Sequence, residues 1–140
     1  MRDMRWKCGD KGCYRKLMPR LGMLDDCFPG KIGMSDIDGI VEVGGRFLIM
    51  EFKSAGSRLT TGQRIMFERM TAENLDPMKF TVIVVCGEPQ EMVIESVQVF
   101  SSGKAGPIEP CTLEQLHLRI RKWRERAERC KTRPSKRAAA

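Results

Sequence analysis

The chain has 140 residues, 41% of them hydrophobic, and a formal net charge of +7. This size suits one compact domain around one core. No apolar run approaches the ~18–20 residues of a membrane span, and the charged stretch MRDMRWKCGD lacks the apolar centre of a secretory leader, so a cytoplasmic protein is expected.

Residues 1–34 predict a short helix or an irregular packing segment. Trp6, Tyr14, Leu17, Leu21 and Leu24 are interrupted by Gly9, Gly12, Pro19 and Gly22. Cys8 and Cys13, with Cys27 further on, supply three of the four ligands a structural Zn²⁺ site needs; the fourth is Cys130, Cys111 or an acid. A disulfide framework belongs to secreted chains, so the cysteines are not read as one.

Ile37 to Val43 and Arg46 to Phe52 read as strands joined by Gly44-Gly45, a strong short-range hairpin signal. With the two glycines as the loop, Val43 faces Arg46; stepping outward, Asp38 faces Glu51 and Asp36 faces Lys53. Alternation puts these four charges on one face of the hairpin, with opposed Cβ atoms ~4.5–5.5 Å apart. Two carboxylates that close repel each other unless a cation sits between them. Carboxylate oxygens with waters fit Mg²⁺ better than Zn²⁺, and Lys53 beside them could bind a phosphate oxygen or orient an attacking water. The bland alternative is an Asp36–Lys53 surface bridge, which leaves the opposition of Asp38 and Glu51 unexplained.

Thr60-Thr61-Gly62-Gln63 opens a helix with a capping box, its buried face is Ile65, Met66, Phe67 and Met70, and Asp76-Pro77 ends it. Phe80 to Cys86 (FTVIVVC) reads as an interior strand covered on both faces, with Cys86 a small buried hydrophobe. Met92 to Phe100 reads as a further, edge strand, and Ser101 to Pro110 as a loop. The last helix begins at Thr112 with a second Thr-x-x-Gln box. Leu113, Leu116, Ile120, Trp123 and Ala127 form one narrow apolar stripe, a docking face or, alternatively, a partner-helix seam. Basic residues crowd positions 119–137 against only Glu125 and Glu128, a footprint for nucleic acid. The expected contacts are Arg119, Arg121, Lys122, Arg124, Arg126 and Arg129. The order (helix)–β–β–helix–β–β–helix gives an α/β fold with a small mixed sheet. Its divisions are an N-terminal segment (1–34), a core (35–100), a basic helix (111–130) and a disordered basic tail (131–140).

Ser35-Asp36-Ile37-Asp38, then Glu51-Phe52-Lys53 on the next strand, then a helix carrying Gln63 and the apolar strand FTVIVVC, resembles the PD-(D/E)XK nuclease superfamily, in particular small phage or prophage-type members. The resemblance covers roughly Met34 to Cys86. It implies a restriction-endonuclease-like core and a metal-dependent endonuclease acting on DNA. Asp38 and Glu51 would hold Mg²⁺ (or Mn²⁺), with Asp36 as a second ligand or orienting group. Lys53 would position the water or stabilise the transition state, and Gln63 would support the site. Ser35 stands where the family pattern has proline. Many such nucleases pair, so a homodimer is possible. The alternatives are a nuclease-fold binding protein without catalysis and a zinc-stabilised interaction module.

Overall fold

Gly44 and Gly45 take φ values of 60° and 85°. Positive φ at both central residues is the requirement of the tight hairpin turn whose twist matches its strands, and glycine meets it without strain. Glu42 Oε1 accepts from Gly45 N at 2.7 Å and closes the turn. Strands β1 (Gly39–Val43) and β2 (Arg46–Ser54) therefore pair antiparallel with Val43 opposite Arg46 and Gly39 opposite Met50, the register expected from the sequence.

The computed structural model describes residues 20–72 and 76–129, divided into a unit Met1–Asp36 and a unit Ile37–Ala140. In the first, a 3-10 helix spans Leu21–Cys27 and buries none of its side chains. Cys8, Cys13 and the basic tail lie outside the described residues, as does Cys130.

In the second unit the order continues as α1 (Thr61–Thr71), β3 (Phe80–Glu88), β4 (Val93–Ser101), β5 (Lys104–Ala105), β6 (Glu109–Pro110) and α2 (Leu113–Arg129). The fold is mixed α/β, with a six-stranded, mostly antiparallel sheet ordered β1-β2-β3-β4-β5 and β6 paired to β4. Only β2 and β3 run parallel, because α1 carries the chain from the end of one back to the start of the other.

Three expectations change. β4 is not a bare edge: β3 pairs with one side of it and the short β5 and β6 with the other, so the segment 101–110 is not wholly loop. Helix α1 ends at Thr71, before Asp76-Pro77, and Ala72 is already extended. Thr71 Oγ1 donates back to Phe67 O at 2.9 Å and accepts from Gly103 N at 3.2 Å, so a turn from the sheet occupies the space the next helical residues would need. A Cβ on Gly103 would sit 3.2 Å from Ala72. Finally, β3 runs past Cys86 to Glu88, and Cys86 is half-buried rather than enclosed.

The sheet separates two cores. On one side Leu48, Ile83, Val85 and Val97 meet Leu116, Trp123 and Ala127 of α2; on the other Ile49, Val82, Val84 and Phe100 meet Phe67 of α1. Each large side chain so buried contributes roughly 1.5–3 kcal/mol. The apolar stripe of α2 is thus a docking face for this sheet. A β-bulge keeps the two sets in phase. Cys86 pairs with Ser96 and Gly87 with Ile94, leaving Glu95 over. Its carbonyl turns to accept from Cys111 N at 3.0 Å. Gly87 is required here, since a Cβ would overlap the Val93 carbonyl. Arg46 locks the α2 side: it is 6% exposed, ion-pairs with Asp76 at 2.9 Å and donates to Ala127 O at 3.1 Å.

Candidate active site

Strand alternation places Glu51 and Lys53 on the α1 side of β2, beyond the apolar Ile49. Their strand is interior, paired with β1 on one side and β3 on the other, so its direction is fixed by both neighbours. Lys53 Nζ lies 3.5 Å from Glu51 Oε1, with the two side chains only 20% and 12% exposed. At that burial the attraction is less screened by water than in a surface pair.

Gln63 meets Glu51 from α1. Its Nε2 donates to Glu51 Oε1 at 2.9 Å, while its Oε1 accepts from Thr60 N at 3.2 Å. Thr60 Oγ1 completes the box by accepting from Gln63 N at 3.1 Å. The helix cap and the support of the carboxylate, two readings of Gln63 that the sequence leaves open, are both present in one side chain. Glu51 is therefore held by a donor from the helix and a cation from its own strand.

Asp38 sits one residue before β1, in a bend. Its Oδ2 accepts from Phe52 N at 2.8 Å. The carboxylate thus substitutes for the strand that β2 lacks beyond Gly39, and it lies against the peptide joining Glu51 to Phe52. Asp38 is not a ladder partner of Glu51, since the pairing stops at Gly39–Met50; its carboxylate takes the backbone donor of the next residue, Phe52, instead. Asp36 opposite Lys53 is not part of the ladder either. It belongs to the N-terminal unit, and the partner of Lys53 is Glu51.

Hard oxygen donors from two carboxylates suit Mg²⁺ or Mn²⁺, which keep several waters. Among the described residues no group of three or more His, Cys, Asp or Glu side chains is arranged to hold a metal. The zinc expectation falls on Cys8 and Cys13, outside the described residues; Cys27 is exposed, and Cys111 is buried and directs its thiol to Thr112 O at 3.3 Å.

The basic helix is placed differently from these residues. α2 covers the opposite side of the sheet. Arg121, Lys122, Arg124, Arg126 and Arg129 are exposed. Arg119 is half-buried and ion-pairs with Glu109, and Arg124 approaches Glu128 at 3.9 Å. Arg129 donates to Glu125 O at 3.3 Å.

A pocket of about 420 Å³ adjoins Lys53 on the α1 side, reaching Arg58, Cys86, Ser96 and Gln98. Sequence reasoning missed Arg58, Ser96 and Gln98. They come from the loop after β2 and from β4, and no local spacing links them to the Glu-x-Lys stretch.

No family model matches the chain, nor does any curated protein or solved structure. Among the described residues no helix is long and apolar enough to cross a membrane.

Proposed function

We propose that the protein is a Mg²⁺-dependent nuclease of the PD-(D/E)XK kind, built on a restriction-endonuclease-like core and hydrolysing DNA phosphodiesters. The observation that carries this reading is the convergence on Glu51. Lys53 and Gln63 both address its Oε1, and Asp38 is anchored on the adjoining peptide. Asp38 and Glu51 would hold the metal, which when bound supplies charge neutralisation at the phosphate and a more acidic water. Lys53 offers an ammonium to a phosphate oxygen, or a hydrogen bond that aims the water. Gln63 fixes the rotamer of Glu51, and Asp38 fixes the end of β2 that carries both groups.

The test is incubation with plasmid, linear, branched and single-stranded DNA in Mg²⁺, Mn²⁺ or EDTA, beside Glu51→Gln. Cleavage should need the metal and fall to background in the variant. Cleavage that survives EDTA, or is unchanged in Glu51→Gln, sinks the reading.

A second reading, a nucleic-acid-binding protein without catalysis, draws on the position of α2. Its exposed cations cover the side of the sheet away from Glu51 and need no catalytic partner to hold a phosphate backbone. Salt-sensitive DNA binding with no cleavage under any metal condition would favour it.

A further inference from the structure

We propose that the pocket beside Lys53 receives one unstacked nucleotide of a DNA strand, adjoining the phosphate to be cut. The proposal rests on the nuclease reading and names the substrate class that the same site would prefer.

The volume of about 420 Å³ lies within the ~300–1,000 Å³ of small-ligand sites. Such a space admits a single nucleotide and excludes a stacked duplex. The pocket has three kinds of wall, and they match the phosphate, the face of a base and the edge of a base. Lys53 and Arg58 supply positive charge on the site side; Arg58 makes no ion pair among the described residues, whereas Arg64, also on the wall, is tied to Glu68 at 3.0 Å. Val84, Leu59 and Ile108 supply apolar surface for a ring face. Stacking on apolar or aromatic surface is how an extruded base is held without regard to its neighbours.

The third wall is polar and comes from the paired strands β3 and β4: Cys86, Ser96 and Gln98. Gln98 Nε2 is committed to Gly106 O at 3.0 Å, so its carbonyl oxygen is the end left to accept from a base N–H. The bulge that leaves Glu95 over is what turns Ser96 and Gln98 toward this side while Val97 stays with the α2 core. DNA whose strand is already unpaired (single strands, gaps, flaps, branch points) enters without the few kcal/mol of unstacking that a continuous duplex requires.

Two measurements separate this inference from the nuclease reading. In EDTA, where no cleavage is needed, isotope-labelled protein is titrated by NMR with deoxynucleoside 5′-monophosphates and, separately, with inorganic phosphate. The nucleotides should shift Cys86, Ser96 and Gln98; phosphate alone should leave these three in place. Ile108→Asp, at a position 68% exposed and therefore safe for folding, should remove apolar surface, set a negative charge against the nucleotide phosphate and weaken nucleotide binding about tenfold or more. In Mg²⁺, gapped and flapped DNA should be cut at least about tenfold faster than blunt duplex, and Ile108→Asp should erase that preference. Glu51-dependent cleavage that is equal on all substrates, with no nucleotide-induced shift in the pocket, overturns the inference and leaves the nuclease reading standing. Nucleotide shifts in the pocket without metal-dependent cleavage support the pocket and overturn the nuclease reading.

Discussion

The two sides of the sheet are built from alternate residues of the same strands, yet they serve different ends. On the α2 side β2 contributes Leu48, Met50 and Phe52, and among the described residues the charge buried there is Arg46, engaged by Asp76 and the Ala127 carbonyl. On the α1 side the same strand goes from Ile49 to Glu51 and Lys53, and apolar packing gives way to charge toward its end. Charge is accommodated there because the first turn of α1 brings Gln63 to Glu51, and the strand beyond borders a pocket at Lys53.

The comparison breaks most visibly if the α2 side is not the one that carries stability. Arg46→Met should destabilise the fold by about 3–5 kcal/mol, because Asp76 is left as a charge without its partner. Urea denaturation with far-UV CD reads this directly. A loss below about 1 kcal/mol would mean that the ion pair contributes little to holding α2. Lys53→Ala on the other side should do the reverse: a drop of about 10²-fold in the cleavage rate with the denaturation midpoint nearly unchanged.

Asp38→Asn sharpens the contrast further, since the amide oxygen can still accept from Phe52 N while the negative charge is gone. Hairpin and stability should persist, and the Mg²⁺ concentration for half-maximal cleavage should rise about 10–100-fold. An unaltered metal requirement would leave Asp38 a purely structural clasp on β2.

For α2, Lys122→Glu with Arg126→Glu should weaken DNA binding and flatten its salt dependence, the slope losing about 0.9 for each phosphate contact removed. Fluorescence anisotropy at several salt concentrations checks this, and an unchanged slope would place the DNA elsewhere. The smallest effect belongs to Thr60→Ala, expected to cost about 1 kcal/mol through the helix cap. Cleavage at saturating Mg²⁺ should hold in a folded sample, because the Gln63–Glu51 contact does not pass through the threonine side chain.

Much of this was legible in the sequence. The Gly-Gly turn set the register, the two Thr-x-x-Gln boxes marked both helix starts, and the stripe from Leu113 to Ala127 identified the buried side of α2. What escaped were features decided by distant contacts. The early end of α1 depends on a turn at Gly103. The short β5 and β6 exist only because β4 is there to pair with. The placement of the basic helix opposite Glu51 follows from which side of each strand meets α2, and the composition of the helix says nothing about that. Asp38 was read as a facing partner of Glu51, but its side chain instead takes up the backbone donor at Phe52, a choice local to the strand end.

Gln63 illustrates how tightly such a site can restrict its own variation. Its amide oxygen serves the start of α1 and its amide nitrogen serves Glu51. Glutamate at this position would keep the first role but set a second negative charge against Glu51; lysine would keep a donor and lose the acceptor; asparagine has both groups on a stem one methylene shorter. A single side chain therefore answers to the start of the helix and to Glu51 at once. Substitution at this position is thus opposed from two directions, and a protein without the Glu51 contact would still gain from glutamine or glutamate at the helix start.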